Sequence, residues 1–345
     1  MRVLIASSFV PFVNGGGRFI VEWLEEKLLE YGHQVEKIYL PFDERPETLM
    51  ENLLSYRLMD LTQHADRLIA IRPPAHSLIH PNKVVWFIHH LRGYYDLAAT
   101  KYASFPNTAD GRSVRDALRR HDTATLGEAR TVFTNSGVVK DRLARFNGVD
   151  AEVLYPPLLH PEQFYCGEPN DEIVTVCRVE PHKRQHLLVE AMQHVKTPVK
   201  LRICGKAGSQ AYADELIKLA RSKGIEDRIH FELGWISETD KVARVSNALA
   251  SVYAPMDEDS YGYPTLEAAA AGKPTLTTFD AGGTLEFVRD GENGLITEPT
   301  PQAIADGFDR LHSHREKTRA MGQGAYETVQ RLNITWDHVV DRLLA

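Results

Sequence analysis

The chain is poor in cysteine. It has three in 345 residues, Cys166, Cys177 and Cys204, with no metal-ligand or redox spacing. An odd, sparse count excludes a disulfide framework and suits a reducing compartment. Long apolar runs are missing as well, and nothing approaches the roughly 20 residues of a membrane span. The first residues, MRVLIASSFVPFV, imitate a signal peptide. Ser7, Ser8 and Pro11 break that stretch and no small-residue cleavage site follows, so a buried strand is expected instead. An excess of positive charge is also absent. Residues 1–160 carry 19 Lys+Arg against 19 Asp+Glu, and the remainder carries 21 against 28. Neither part has the basic surplus that phosphate-backbone binding needs, which excludes bulk nucleic-acid binding. No low-complexity tract and no internal repeat is visible.

What is present is a regular alternation of strand-like and helix-like segments. RVLIAS reads as a buried strand. From Arg18 to Tyr31, Ile20, Trp23, Leu24, Leu28 and Tyr31 then fall on one helical face. QVEKIYL, DRLIAIR, KVVWFIHH and TVFTNS follow as short strands. Around VLYPPLLHPEQF the rhythm stops, and four prolines between Pro156 and Pro169 mark a linker. It restarts with EIVTVCRV, a helix from about Arg184, VKLRICG, a helix from about Tyr212, IHFELG, a helix from about Glu238, and ASVYAP. KPTLTTF and GLITE are the last strands, and TWDHVVDRLL is a terminal amphipathic helix. The length suits two domains of roughly 150 residues. The fold class is therefore α/β, with two Rossmann-like, doubly wound domains facing across a cleft. The expected bounds are 1–162, 163–328, and a helix over 329–345 that crosses back to the first domain. In such folds ligands bind at the carboxyl ends of the strands, so chemistry-bearing residues belong in the loops just after strands.

Four stretches stand in such loops. NGGGR, Asn14 to Arg18, sets three glycines before a helix, where backbone N–H groups and the helix dipole can hold an anion. A flexible turn accounts for it equally well, and the spacing is wrong for a dinucleotide fingerprint. RVEPHKR, Arg178 to Arg184, puts Arg178 and Lys183 between a strand and a helix N-terminus. Two cations there oppose the dipole, and a bound dianion would explain them. A solvated basic turn is the alternative. WFIHHLRGYYDL ends a strand with His89 and His90, which could bond a sugar or phosphate oxygen, or simply pack. Their spacing is not that of a metal pair, and no metal is assigned. The fourth stretch is DSYGYPTLEAAAAGKP. Asp259 opens the loop, Gly262 permits a tight backbone approach, and Pro264 suits a first helical turn. Glu267 is expected in that first turn, pointing into the cleft.

Taken in order, these stretches resemble the Glu-x7-Glu signature of family-four retaining glycosyltransferases, which have the two-domain GT-B fold. Gly15, Gly16 and Gly17 match the family's glycine loop. Arg178 and Lys183 match its Arg-x4-Lys phosphate pair. GWISETDK, Gly234 to Lys241, matches the loop where the nucleotide base stacks, and AGGTLEFVRDGENGLI matches the segment after the signature. Trp86, His89, Arg92, Tyr95 and Asp96, with VLYPPL, are similar to a subgroup that builds surface and lipid-linked polysaccharides. Asp259 departs from the pattern, because the family has Glu there. Either the loop moves inward, or Glu258 substitutes, or the donor sugar differs at the hydroxyl it touches.

The resemblance implies these roles. Arg178 and Lys183 bind the donor diphosphate and neutralise the leaving group, so that neither a metal nor a cofactor is required. Glu267 holds the ribose hydroxyls. Asp259, Ser260, Tyr261, Gly262 and Tyr263 hold the donor sugar. His89 approaches that sugar from the other domain, Ile236 and Glu238 line the base pocket, and the glycine loop closes on the phosphates. The expected activity is retaining, metal-independent transfer of a hexose from a nucleotide sugar to a saccharide or lipid-linked acceptor. GDP-mannose is the favoured donor because Glu238 can accept from guanine, with a UDP-sugar close behind. Arg92, Arg112, Arg115 and Arg119, beside Arg120, are the acceptor-side candidates; a solvated helix face is the alternative. A cytoplasmic enzyme with peripheral contact at the inner membrane face would fit. A nucleotide-sugar epimerase of the same fold, or a non-catalytic sugar-nucleotide binding protein, are the rival functions.

Overall fold

Six of the eight residues of Arg2–Phe9 are buried. A strand covered on both faces belongs inside a parallel sheet, and this one does. The computed structural model describes residues 1–9 and 15–345. They divide into two units, Met1–Pro156 with Thr335–Ala345, and Pro157–Ile334.

In the first unit the strands are β1 (Arg2–Phe9), β2 (Gln34–Pro41), β3 (Arg67–Ala70), β4 (Lys83–Phe87), β5 (Thr131–Thr134) and β6 (Glu152–Val153). They pair in parallel in the order β2-β1-β3-β4-β5-β6. β6 lies in the stretch read from sequence as the start of the linker. The helix Gly16–Glu30 follows β1 and buries Ile20, Val21, Leu24 and Leu28 on the sheet. Trp23 is only half-buried and stacks on Phe19, and Tyr31 caps the helix in solvent. The helix Trp336–Leu344 belongs to this unit. Arg67, itself buried, donates to the carbonyls of Leu343, Leu344 and Ala345 at 2.9–3.1 Å. A cation at a helix C-terminus satisfies orphan carbonyls and complements the dipole.

In the second unit the strands are β7 (Glu172–Val176), β8 (Lys200–Cys204), β9 (Ile229–Glu232), β10 (Ala250–Val252), β11 (Thr275–Thr278) and β12 (Gly294–Thr297). Their order is β12-β11-β10-β7-β8-β9, again all parallel. Leu188, Leu216, Ile304 and Phe308 from three helices bury against Ile173, Ile203 and Leu276 of the sheet. At roughly 25 cal/mol per Å2 of apolar surface, this packing is the main favourable term in the unit's stability. Each sheet has one point where consecutive strands go to opposite sides: β1 against β3, and β7 against β10. A crevice opens at the carboxyl ends of strands at such a switch point. Among the described residues no helix is long and apolar enough to cross a membrane.

Candidate active site

Both sequence stretches of the second unit that carry charge flank its switch point. After β7 the chain runs through Arg178 to a short turn, Pro181–Lys183, and into the helix Gln185–Ala191. Arg184 caps that helix in the left-handed region at φ 57°. Its guanidinium is buried and forked onto Asp280 at 2.7 and 2.8 Å, and it also donates to the carbonyls of Ala254 and Pro255. Arg184 thus ties the loop after β7 to the ends of β10 and β11. Arg178 stays half-exposed, 3.7 Å from Glu180.

Lys183 faces the loop after β10. Its Nζ donates to Tyr253 Oη at 2.8 Å and forms an ion pair with Glu258, whose Oε2 also accepts from Tyr253 Oη at 2.8 Å. Burial works to raise the Glu258 pKa, but the Lys183 ammonium outweighs it and holds the carboxyl below its usual range. Burial, and then the charge of Glu258, pushes the Tyr253 phenol well up. The acid that pairs with Lys183 is therefore Glu258. Lys183 has three donors, and two are committed to this cluster.

The loop that carries these acids is tightly constrained. Gly262 has φ 75°, and a Cβ there would lie 2.3 Å from the Tyr253 ring. On the other side Gly282, at φ 68°, and Gly283 let a second loop pack backbone to backbone, since a Cβ on either would reach Glu258 or Ser260 within 2.5–2.7 Å. Ser260 Oγ accepts from the Gly262 N–H at 3.3 Å, and Tyr261 is buried against Phe287. Helix Tyr263–Ala270 then starts, with Pro264 in its first turn. Asp259 and Tyr263 sit half-buried at the two ends of this loop.

Glu267 lies one position beyond the first turn expected for it, and it is buried rather than open. Lys241 Nζ reaches its Oε1 at 2.8 Å and also holds Glu238 at 2.8 Å. Burial raises the Glu267 pKa against the pull of Lys241. Burial likewise works against the Lys241 charge, yet its two glutamate partners keep that pKa raised. Lys241 joins Glu238 to Glu267, and it went unrecognised in the sequence except as the end of GWISETDK. The available signal was its position three residues after Glu238, one helical turn along. The helix Glu238–Ser246 is started by Ser237, whose Oγ accepts from the Asp240 N–H. Ile236 is half-buried just before it, beside an exposed Trp235.

In the first unit, the loops after β1, β3 and β4 hold the other candidates. Gly15 is the extended N-cap of the helix Gly16–Glu30, and its carbonyl accepts from the Arg18 and Phe19 N–H groups. Gly17 packs closely on its neighbours: a Cβ there would meet Ile88 at 3.1 Å and Arg72 at 3.4 Å. Asn14, which opens this stretch, lies outside the described residues. Arg72, at the end of β3, was not singled out from sequence. Its side chain is mostly buried, and burial lowers its pKa.

The two histidines separate. His90 is buried and bonded through Nε2 to Asn147 at 3.0 Å. His89 is half-buried, with Nδ1 2.8 Å from the His90 carbonyl. A carbonyl only accepts, so Nδ1 carries the hydrogen and Nε2 presents a lone pair. Burial, then the charge of Arg72, lowers the His89 pKa to about 4, so the ring is neutral near pH 7. The rest of that motif is occupied locally. Trp86 donates to the Leu154 carbonyl, Tyr95 to Asp122, and Arg92 is forked onto Asp96 at 2.7 and 2.9 Å. Arg112 is exposed and bonded to Asn107, whereas Arg115 and Arg119 line one cavity.

Two such parallel α/β units, with charged loops at a switch point, define the GT-B class of two-domain proteins. Residues 163–328 match the family described as "Glycosyl transferases group 1". That segment carries the chain's similarity to this family. It is 30% identical over 253 residues to a GDP-mannose-dependent alpha-(1-6)-phosphatidylinositol monomannoside mannosyltransferase of Mycobacterium tuberculosis, covering 66% of this chain and 63% of the relative. It is 27% identical over 282 residues to a D-inositol 3-phosphate glycosyltransferase of Nocardia farcinica, covering 75% and 61%. The chain thus spans about three-fifths of the length of these curated relatives. The fold as a whole is similar to that of Anabaena HepE solved with UDP, at TM-score 0.74 and 17% identity, covering 99% of both chains. Sucrose-phosphate synthase of Thermosynechococcus elongatus aligns at TM-score 0.77 and 18% identity, over 99% and 97%.

Proposed function

We propose that the chain is a retaining, metal-independent hexosyltransferase. It transfers a hexose from a nucleotide sugar to a saccharide or lipid-linked acceptor in surface-polysaccharide synthesis, at the cytoplasmic face of the membrane. The observation that carries this reading is the pair of clusters in the second unit: Lys183 with Tyr253 and Glu258 after β7 and β10, and Glu267 with Lys241 and Glu238 beside them.

Each part has chemical work in this reading. Glycosyl transfer develops negative charge on the departing nucleotide, and fixed cations that meet it stabilise the transition state. Lys183 and Arg178 supply them, and the positive charge does not have to come from a metal. Glu267 keeps one carboxylate oxygen for a ribose diol while Lys241 holds the other. Asp259 and the backbone of Ser260 to Tyr263 hold the sugar, and Ile236 and Glu238 the base. The neutral His89 offers Nε2 as acceptor to a sugar hydroxyl, and the Gly15–Gly17 turn serves the phosphates. Retention follows a front-face course in which the leaving phosphate helps to deprotonate the acceptor, so no carboxylate acts as nucleophile.

GDP-mannose is the donor proposed first, on the M. tuberculosis relative and on Glu238 as a partner for guanine. A UDP-sugar is the second reading, favoured by the UDP bound in HepE. The deciding experiment is a thermal-shift screen against GDP, UDP, ADP and their sugars. A true ligand at 100 times its Kd adds about 2.7 kcal/mol. No stabilisation by any of them overturns the proposal. Sugar turnover without an acceptor would instead make the protein an epimerase.

A further inference from the structure

The first unit contains a cavity of about 270 Å3 that the donor chemistry does not use. It lies between the helix Ala109–Leu126, the end of the helix Gly137–Asn147 and the loop after β4. Arg115, Arg119 and Arg145 line it, with Tyr95 and Phe146 as its aromatic wall and Asp96 as its one acid. Asp96 is already neutralised by Arg92 at 2.7 Å and Arg142 at 3.6 Å, and Arg115 is paired with Asp116 at 2.7 Å.

Arg119 and Arg145 are different. Among the described residues neither forms an ion pair with a carboxylate. Arg119 is held in place: Nε and Nη2 donate to the carbonyl of Tyr94 at 3.1 and 2.8 Å, and its guanidinium lies over the rings of Tyr95 and Phe146 at 5.1 and 5.3 Å. Arg145 lies over the same Phe146 ring at 5.0 Å. Two guanidinium groups are thus gathered around one ring, neither paired with a carboxylate. Burial and the neighbouring Arg115 both disfavour the charge on Arg119. Gathering like charges costs energy that a bound anion returns, and Arg is suited to grip phosphate through two parallel N–H groups. Hydrogen bonds to the Tyr94 and Tyr95 carbonyls fix Arg119 before the ligand arrives, which lowers the entropic cost of binding.

We propose that this cavity is a phosphate subsite of the acceptor, holding the phosphate or diphosphate of a phosphorylated acceptor between Arg119 and Arg145. The proposal rests on the transferase reading, and it goes beyond it by naming the acceptor's class. The phosphate could belong to a soluble ester or to a membrane lipid. The volume is ample for a phosphate or diphosphate group.

The test is calorimetric titration of the full chain with inorganic pyrophosphate. An Arg178→Ala, Lys183→Ala background removes the donor's phosphate pair from the measurement. Pyrophosphate is expected to bind this background, and R145A to weaken that binding at least tenfold. R145E should abolish it, while GDP or UDP binding to the otherwise wild-type chain carrying R145E stays unchanged. Arg145 is exposed, so these variants fold even if R119Q, which gives up three hydrogen bonds to the Tyr94 and Tyr95 carbonyls, does not. Sedimentation with phosphatidylcholine vesicles, with and without polyprenyl phosphate, distinguishes the sources. Arg145-dependent binding to the phosphorylated vesicles assigns a lipid acceptor, and pyrophosphate binding alone assigns a soluble ester. No pyrophosphate binding in the background, or binding that R145E leaves unchanged, overturns the subsite. No nucleotide binding by the wild-type chain would instead overturn the transferase reading, and with it the assignment of this site to an acceptor, even where pyrophosphate binds.

Discussion

Replacing Lys241 by Met keeps most of the side-chain volume and removes the charge that holds Glu267. Glu267 is 5% exposed and Lys241 16% exposed in this pair. Deleting one partner of a buried ion pair costs about 3–5 kcal/mol, because the other charge is left without compensation. Glu267 has an escape, which is to take up a proton. For a carboxyl of ordinary pKa that costs about 3.7 kcal/mol at pH 7; the raised pKa of Glu267 makes it cost less, and this caps the loss. We therefore expect K241M to destabilise the second unit by about 3 kcal/mol at pH 7. The proton becomes cheaper as pH falls, so the loss should shrink to about 1 kcal/mol at pH 5. The sign follows from the raised folded-state pKa of Glu267. A carboxyl of that kind stabilises the fold at low pH and loses the contribution as pH rises through its folded value. Urea unfolding of this unit at the two pH values measures both quantities. Adding Glu267→Gln to K241M should recover much of the loss at pH 7, since neither group is then charged. A loss below about 1 kcal/mol at pH 7, or one that is the same at pH 5, would refute the reasoning.

Other outcomes follow from the same geometry. Lys183→Ala should lower kcat/KM at least tenfold, about 1.4 kcal/mol; wild-type kinetics would remove it from the phosphate site. His89→Ala should abolish turnover and leave nucleotide binding in place. Because its pKa is lowered to about 4, a wild-type kcat/KM profile should carry no His89 inflection between pH 5.5 and 8 and should fall only as pH drops through about 4. Gly262→Ala introduces a Cβ in the positive-φ region against the Tyr253 ring, costing at least about 1–2 kcal/mol of backbone strain alone; unchanged thermal stability would contradict the tight turn. Asp259→Glu adds about 1.5 Å of reach, and activity across several donor sugars reports whether donor preference moves with it; unchanged preference would mean that Asp259 does not read the sugar.

The alternation of strand and helix was legible in the sequence because buried parallel strands are apolar on both faces, and the chain contains short runs such as RVLIAS and EIVTV. Several elements were not legible. The helix Arg315–Arg331 contains Gly322 and Gly324, which weaken helix propensity. They are there for packing: a Cβ on either would collide with the carbonyl of Gly272 or Glu292. β6 is two residues long beside a proline pair, too short for any period to register.

For the candidate site, sequence alone determined which residue types stand in which loops: Arg178 and Lys183 after one strand, Asp259 to Glu267 after another, His89 after a third. Chain order sets those positions, and the strand pattern sets which loops reach the carboxyl edge. Tertiary structure decided the pairing. It turned Glu258 onto Lys183, set Lys241 between Glu238 and Glu267, and spent Arg184 on Asp280 and two carbonyls. It also separated His89 from its neighbour, and brought Arg119, 26 positions before Arg145, over the ring of Phe146. Ion pairing and desolvation depend on distances of a few ångströms between side chains remote in the chain. No local pattern encodes those distances until the sheets have formed.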